Sequence, residues 1–316
     1  MNRIAIYCCL MAVMLGVPHA ATACHSDIGG FSWEKRPDRL LISLDGQPIV
    51  EFVFQDEQIH RPYFANARIV QGLQLTRNHP PVPGKDASDH EAMHPGIWLA
   101  FGDINGFDYW RNQAPMEHLG FVVEPMLQDG QLHFVTECRL RTSTGDPLCL
   151  LTNNIVLSAR PTGWLLKWDA TFQADTCDIV FGDQEEMGFG VRVATPWIEK
   201  NGGRILNSAG AQTAKGTWGQ SAKWCEYSGS SQCDPGILVM AGENFRESWW
   251  HNRDYGLMVA NPFGREAMKQ GSKSAVKVAK GESLHLRFGA LVFGGPSAER
   301  PRPDAEREYQ FFLKIR

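Results

Sequence analysis

The chain of 316 residues has few long apolar runs and no excess of positive charge. After the first residues, no segment approaches the ~18 apolar residues that a membrane-spanning helix needs. We therefore expect a soluble mature protein with no membrane span. With 31 Lys and Arg against 35 Asp and Glu, the net charge is −4, and the basic residues form no stripe. A nucleic-acid partner is not expected for such a surface.

Several familiar catalytic motifs are also absent. The sequence has no GxSxG elbow of an α/β-hydrolase, no GxxxxGK[ST] phosphate-binding loop and no GxGxxG after a strand. Its cysteines have neither CxxC nor CxxxH spacing, which argues against a zinc knuckle. The chemistry therefore has to be sought in groups of residues that follow no common motif.

The N-terminus has the pattern of a secretory signal peptide. Arg3 is followed by the uncharged apolar run 4–17 and by Pro18, and small residues allow cleavage after Ala20 or Ala23. We therefore assign residues 1–23 to the signal and expect a periplasmic or secreted protein. Cys24 leaves a lipoprotein as the alternative.

Six cysteines remain after the signal, and an even number in an exported chain suggests disulfide bonds. Cys138 and Cys149 flank one turn, and Cys225 and Cys233 flank a Gly/Ser loop, so each pair could close a short loop. Buried free thiols are the alternative.

Strand signals dominate the rest of the chain. Short turn sequences separate paired apolar runs at residues 45–46, 129–130, 144–146, 161–163 and 280–282. The last of these turns predicts that residues 275–278 pair with residues 283–293. Helical periodicity is limited to short stretches around Glu91 and from Asp304 to Phe312. We therefore predict an all-β fold, a large antiparallel two-sheet sandwich with few short helices, in which residues 24–316 form a single domain.

The segment from Arg61 to Trp110 is rich in polar and aromatic residues among Gly and Pro turns, as in a site presented by a rigid scaffold. Histidine can exchange a proton near neutral pH, and arginine pairs with carboxylates. Its candidate site residues are Arg61, Tyr63, Arg77, His79, His90, His94, Trp98, Asp103, Asp108 and Trp110. A divalent metal at His79, His90 and His94 is one alternative, although no cofactor is expected, and structural hydrogen bonding is another.

Glu185 and Glu186 form a second group, between glycines and ahead of a strand that contains Arg192. A buried carboxylate can act as a general acid or base. Because adjacent side chains usually point apart, only one of the two is expected to act, and the sequence does not decide which. An exposed acidic turn is the alternative.

A third group runs from Trp249 to Tyr255 and combines aromatic with polar side chains. In a strand, His251 and Arg253 would share one face. Such a segment fits a sugar subsite, in which an aromatic ring lies beside hydrogen-bonding groups. A buried strand with an internal His–Asp pair is the alternative. The candidate residues here are Trp249, Trp250, His251, Asn252, Asp254, Tyr255 and Asn261.

These segments together resemble a soluble bacterial family known as methane oxygenase PmoA. The similarity rests on RPYF, TRNHPP, DHEAMHPGIW, EEMGFGVRVATP and WWHNRDYGLMVANPFG, and it extends from about Ile49 to Phe293. The resemblance implies a galactose-mutarotase-like supersandwich of the kind that binds carbohydrate.

We consider three functions. The favoured one is a carbohydrate-active hydrolase, lyase or epimerase acting on a sugar or oligosaccharide. In it, His90 or His94 and Glu185 or Glu186 would exchange protons, with His251 and Asp254 as further candidates. Arg61 and Arg192 would fix a carboxylate or hydroxyl, and Trp249 or Trp250 would stack on the ring. The alternatives are a non-catalytic carbohydrate-binding module and a metal-dependent oxidoreductase.

Overall fold

A computed structural model describes residues 30–230, 235–294 and 302–315. The strands are β1 (Phe31–Lys35), β2 (Arg39–Leu44), β3 (Gln47–Val53), β4 (Tyr63–Ala65), β5 (Ile97–Phe101), β6 (Met116–Gln128), β7 (Gln131–Arg141), β8 (Pro147–Arg160), β9 (Gly163–Gln173), β10 (Ile179–Phe181), β11 (Met187–Arg192), β12 (Arg204–Asn207), β13 (Trp224–Ser228), β14 (Gly236–Ala241), β15 (Trp249–Trp250), β16 (Leu257–Asn261), β17 (Val276–Val278) and β18 (Ser283–Phe293). The α-helices are α1 (Ala214–Thr217) and α2 (Ala305–Lys314), and 3₁₀ turns span Thr195–Trp197 and Glu199–Asn201.

The strands form two large antiparallel sheets. The first sheet has eight strands in the order β1-β2-β3-β4-β5-β11-β16-β15, and the second has eight in the order β12-β13-β14-β18-β9-β8-β7-β6. Strands β10 and β17 form a small separate pair. The prediction of an all-β, two-sheet antiparallel sandwich with few helices is confirmed.

Most predicted hairpins form around the expected turns, as in β2–β3, β6–β7, β7–β8 and β8–β9. The predicted hairpin at residues 280–282 is wrong. Strand β18 already has β14 and β9 on its two sides, and β17 pairs with β10 instead. The C-terminal helix is confirmed, since Asp304 accepts the backbone N–H of Arg307 at the start of α2. Around Glu91 the chain forms turns rather than a helix.

The main core lies between the two sheets. Alternation along β11 directs Met187, Phe189 and Val191 into this core, where they meet residues such as Trp168 and Phe288 of the second sheet. Aromatic pairs such as Phe189 and Phe288, with ring centroids 5.4 Å apart, join the sheets. Burial of this apolar surface is the main source of stability for such a sandwich.

Each sheet also has a covered outer face. Helix α2 places Tyr309 and Phe312 on the outer face of the second sheet. Loops cover the outer face of the first sheet, where Trp98, Trp110 and Val259 form a second apolar layer. No helix in the described residues is long and apolar enough to cross a membrane. The loop-covered face of the first sheet carries the polar residues considered below.

The expected disulfide between Cys138 and Cys149 is wrong. Both are buried free cysteines, as is Cys225, and Cys177 is an exposed free cysteine. In the β7–β8 register, Cys138 lies opposite Leu151 and Cys149 lies opposite Leu140, so the two thiols are diagonal neighbours. Diagonal positions are roughly 7–8 Å apart, beyond the reach of a disulfide. Cys24, Cys233 and the predicted signal lie outside the described residues.

Candidate functional site

Two glycines shape the outer face of the first sheet. In β11, the outward positions between the core residues are Gly188 and Gly190, followed by Arg192. Gly190 lies between Trp98 of β5 and Val259 of β16, and a Cβ atom at Gly190 would lie 2.5 Å from the Trp98 ring. The indole therefore rests on bare backbone, which only glycine allows.

Four rings stack outward from this point. His94 lies parallel to Trp98 with centroids 5.1 Å apart, His90 follows at 5.0 Å, and Tyr255 stacks on His90 at 6.1 Å. The backbone N–H of His94 donates to the carbonyl of His90 in a single helical turn. Trp110 meets His94 edge-on. We call Arg61, Arg77, Asp89, His90, His94 and Arg192 the histidine-loop cluster.

Two arginines of this cluster bind backbone rather than a ligand. Buried Arg61 donates from Nη1 to the carbonyl of Trp110 at 3.1 Å and from Nη2 to that of Met93 at 2.7 Å. Buried Arg77 donates to the carbonyls of Asp89 and His94 at 2.6 and 3.1 Å. Burial lowers the pKa of Arg61 to about 9 and that of Arg77 to about 10. The loop before β5 is therefore held by guanidinium groups.

Arg192 forms an ion pair with the carboxylate of Asp89. Its Nη2 lies 2.8 and 3.0 Å from the two oxygens of Asp89, and its guanidinium lies 4.5 Å from the centre of the Tyr255 ring. Asp89 also contacts Nδ1 of His90 at 2.9 Å. Burial opposes ionisation of Asp89, but the contacts with His90 and Arg192 outweigh it and lower its pKa. Arg192 thus fixes the loop through Asp89.

His94 is a neutral side chain in this setting. It is 2% exposed, and burial, with the charge of Arg192 as a second cause, holds its pKa well below the usual 6.5. Its Nδ1 lies 3.4 Å from Nη1 of Arg192 and therefore accepts a hydrogen bond. A neutral histidine of this kind cannot serve as a proton donor near neutral pH.

Residues 90–94 also fit the HExxH pattern of zinc proteases, a match that the sequence interpretation above missed. That motif needs a helix, whereas His90 has a positive φ of 53° and the segment forms turns. In the described parts of the chain, no three His, Cys, Asp or Glu side chains form a group that could hold a metal ion. The alternative of a metal at His79, His90 and His94 is therefore not supported by the donor geometry.

The two adjacent glutamates point to different partners. Glu186 forms an ion pair with Arg111, which also binds Asp108 at 2.7 Å. Glu185 lies with Oε2 at 2.8 Å from Nη2 of Arg253 and 3.3 Å from Nδ1 of His251. The structure therefore brings together Glu185, not Glu186, with the residues of the third sequence group.

His251 connects Glu185 to a tryptophan that the sequence interpretation missed. Trp218 donates its Nε1–H to Nδ1 of His251 at 3.3 Å. Burial, and secondarily the charge of Arg253, lowers the pKa of His251 to about 3. Neutral Nδ1 cannot both accept from Trp218 and donate to Glu185. Trp218 therefore holds the hydrogen bond, and Arg253 holds the carboxylate.

Beside this group lies an open cleft of about 400 Å³, which we call the Trp218 cleft. Its walls contain a half-buried indole and several charged groups; the lining residues are Glu199, Ala214, Lys215, Trp218, Asn252, Arg253 and Asp254. Its lining includes none of the candidates His94, Glu185, Glu186 and His251; Glu185 adjoins the cleft through Arg253, and His251 through Trp218. The two glycines that flank Trp218 in Lys-Gly-Thr-Trp-Gly-Gln are the sequence feature that could have indicated an exposed ring on a turn.

Asn252 supplies an unpaired acceptor at the cleft. Its side chain is 1% exposed, and its Nδ2 donates to Oγ1 of Thr217 at 2.8 Å and to Sγ of Cys225 at 3.2 Å. These bonds fix the amide, and its Oδ1 has no partner among the described residues. A buried unpaired acceptor costs about 1–3 kcal/mol. Because this oxygen is shielded from solvent, a donor from the cleft reaches it only after neighbouring atoms move.

Other candidate residues have structural contacts. Trp250 lies in the core and donates to the carbonyl of Ala222 at 3.1 Å, so it cannot stack on a ligand in this conformation. Trp249 is also buried. Asn261 binds the carbonyls of Gln184 and Glu185 at 2.7 and 3.0 Å, and so positions the glutamates.

The remaining candidates stabilise turns or neighbouring side chains. Asp103 accepts the backbone N–H of Gly106 at 2.8 Å. The hydroxyl of Tyr63 donates to Asp56 at 2.7 Å, and His79 meets the Tyr63 ring edge-on. Asp254 lies 3.5 Å from Lys200 and lines the Trp218 cleft.

A family model matches residues 39–305, and it describes a family of unknown function, DUF6807. The chain belongs to this family. The resemblance to the methane oxygenase PmoA family is therefore wrong, because the matching model covers most of the chain and carries no such assignment. No curated protein matches the sequence of this chain.

Solved structures give weak similarities. An α-galactosidase from Lactobacillus brevis has a TM-score of 0.47 at 9% identity, over 89% of this chain and 40% of that one. The Slr1438 protein from Synechocystis sp. PCC 6803 has a TM-score of 0.38 at 13% identity, over 90% of this chain and 100% of that one. A heparan sulfate lyase HepC mutant from Pedobacter heparinus has a TM-score of 0.35 at 7% identity, over 90% of this chain and 38% of that one. This chain thus spans less than half of the galactosidase and of the lyase, and at these TM-scores the similarities carry no argument about function.

Proposed function

We propose that this protein is a carbohydrate-active enzyme whose ligand occupies the Trp218 cleft and whose proton-exchanging group is Glu185. The observation that carries the proposal is the position of Glu185, 2.8 Å from Arg253 and 3.3 Å from buried His251, beside this cleft. The carboxylate is about one-third exposed, so solvent and ligand can reach it.

The cleft has the two features that a sugar requires. A half-exposed indole offers a flat apolar face for the C–H side of a pyranose ring. The buried Oδ1 of Asn252 has no partner among the described residues and would accept a hydrogen bond from a ligand hydroxyl once neighbouring atoms move aside. Because the amide is already fixed by Thr217 and Cys225, the cost of ordering it on binding is small.

Glu185 is the better candidate for proton transfer than either histidine. His94 and His251 are both neutral at physiological pH because burial lowers their pKa values. Arg253 orients the carboxylate of Glu185, and His251 orients the indole of Trp218. The carboxylate and the aromatic ring are therefore fixed relative to each other. General acid–base catalysis by a positioned side chain contributes roughly 10²–10⁴-fold.

The test is turnover of a panel of oligosaccharides by the purified protein, followed by mass spectrometry of the products. Glu185→Gln keeps an acceptor for Arg253 and is expected to abolish turnover while binding persists. Glu124→Gln is the matched control, since Glu124 also forms an ion pair, with Lys35 at 2.7 Å, but lies on β6 of the other sheet. Full activity of Glu185→Gln would contradict the proposal.

The second candidate is a carbohydrate-binding module without catalysis. It is favoured by the neutral state of both buried histidines and by the pairing of Glu185 with Arg253. In this case Trp218→Ala weakens glycan binding, yet no product forms with any oligosaccharide that the wild type binds.

The proposal includes export of the protein, which rests on the leader pattern in residues 1–23. Sequencing the N-terminus of the protein from cell fractions tests this point. A cytoplasmic protein that retains Met1 would contradict it.

A further inference from the structure

We propose that the ligand of the Trp218 cleft is an acidic carbohydrate, one that carries carboxylate or sulfate groups. This inference rests on the proposed function and specifies its substrate class. The structural basis is the distribution of charge around the indole and the way in which the nearby carboxylates are already paired.

Two cations flank the ring of Trp218. The ammonium group of Lys269 lies 5.7 Å from the ring centroid, and the guanidinium carbon of Arg253 lies 5.9 Å from it. Both distances are at the outer limit for a cation–π contact. Lys215 lines the same cleft from α1. A sugar stacked on this indole therefore meets positive charge on its periphery.

The carboxylates of this region have other partners. Glu185 is paired with Arg253. Oε2 of Glu199 accepts the backbone N–H of Ala214 at 2.6 Å, a bond that holds this carboxylate in place but leaves its negative charge. Asp254 lies 3.5 Å from Lys200. By contrast, Lys215 and Lys269 form no ion pair within residues 30–230, 235–294 and 302–315.

Two lysines beside one aromatic platform thus keep their charge available for a ligand. They face one carboxylate without an ion pair among the described residues, Glu199, so the cleft has a local excess of one positive charge, whereas the chain as a whole has a net charge of −4. Local positive charge raises the concentration of anionic ligands and strengthens their binding at low salt.

The test compares ligands that differ only in charge. Binding of a galacturonic acid hexamer is measured by calorimetry beside its fully methyl-esterified form. Hexamers of glucuronate and of mannuronate, a sulfated disaccharide series and neutral maltohexaose and xylohexaose complete the panel. We expect at least one acidic oligosaccharide to bind roughly tenfold or more tightly than its neutral counterpart, because hydrogen bonds to a charged group are stronger than those between neutral groups.

Variants locate the effect. Lys215→Ala and Lys269→Ala are each expected to weaken acidic-glycan binding roughly tenfold, and together to remove its salt dependence. Lys280→Ala is the matched control, because it removes the same charge from an exposed turn before β18 and lines no part of the cleft. Thermal unfolding of each variant checks that the fold is intact.

The outcomes separate this inference from the proposed function. If neutral and acidic oligosaccharides bind equally, or if both lysine variants bind like the wild type, the acidic substrate class is wrong while a carbohydrate function stands. If no oligosaccharide of either kind binds and Trp218→Ala behaves like the wild type, the proposed function is wrong as well.

Discussion

The histidine-loop cluster covers the outer face of the first sheet, whereas the Trp218 cleft lies where residues 252–254 meet α1. The two regions use similar side chains in opposite ways. In the cluster, Arg61 and Arg77 are buried and their guanidinium groups bind backbone carbonyls. In the cleft, Arg253 is about one-third exposed and forms an ion pair with the similarly exposed carboxylate of Glu185. A segment rich in polar residues can therefore either support a loop or line a ligand cleft, and the sequence alone does not show which.

The difference has a physical origin. A buried guanidinium group is stable only when carbonyls or carboxylates satisfy its donors, so arginines under a loop become part of its support. A half-exposed arginine keeps water contact and can exchange partners with a ligand. We therefore expect substitutions in the cluster to reduce stability and substitutions in the cleft to reduce activity.

The largest effect is expected at Glu185. Glu185→Gln should lower kcat by about 10²–10⁴-fold, because the proton-exchanging group is lost. The free energy of unfolding should change by less than about 1 kcal/mol, since the residue is partly exposed. Glu186→Gln is the control variant. Glu186 forms its ion pair with Arg111 and not with Arg253, so the loss of activity should be far smaller. An equal loss in both variants would place the active carboxylate elsewhere.

A large effect on stability is expected at Arg61. Arg61→Met leaves the carbonyls of Met93 and Trp110 unpaired in the interior, which should cost about 3 kcal/mol or more in urea unfolding. Arg253→Met should cost less than about 1 kcal/mol while it weakens glycan binding. If Arg253→Met proves as destabilising as Arg61→Met, the distinction between scaffold and cleft fails.

A smaller effect is expected at the aromatic platform. Trp218→Ala should weaken glycan binding about tenfold, whereas Trp218→Phe should retain most of the affinity, because a phenyl ring keeps the apolar face and loses only the bond to His251. Calorimetric titration measures both. Equal affinities for the two variants would show that the ring face is not the contact.

The most gradual effect concerns pH. The pKa values of His94 and His251 lie below the unfolded value of 6.5, so below pH 6.5 the unfolded chain binds protons that the folded chain does not. Stability should therefore be level above pH 6.5 and fall as the pH decreases, by up to ~1.4 kcal/mol per pH unit for each histidine. The variant His251→Gln should show a shallower decrease between pH 6.5 and 5 in thermal unfolding. If stability falls with decreasing pH as steeply in His251→Gln as in the wild type, the lowered pKa of His251 is contradicted.

Much of the fold follows from local sequence, and less of the site does. The Asp45-Gly46 and Asp129-Gly130 turns predict their hairpins because turn chemistry and strand alternation act locally. The pairing of β17 with β10 depends on which sheet edges are free, and local sequence does not contain that information.

The site illustrates the same limit. Sequence patterns select Glu185 and His251 as candidates but not Arg253, and the choice between Glu185 and Glu186 requires the structure. Trp218 was missed because a single tryptophan in a Gly-rich turn has no periodicity to indicate its neighbours. The disulfide at Cys138 and Cys149 was predicted wrongly because sequence spacing does not reveal strand register.

The contact between Trp98 and Gly190 has a consequence for how this face can change. The ring stack runs from Trp98 through His94 and His90 to Tyr255. Because Gly190 has no Cβ atom, the Trp98 ring lies directly against the main chain, and this contact sets the distance of the whole stack from the sheet. One methyl group at position 190 would raise the whole column and shift Tyr255 away from Arg192. A minimal substitution under the sheet surface could thus reshape the loop above it without altering any residue that meets the ligand.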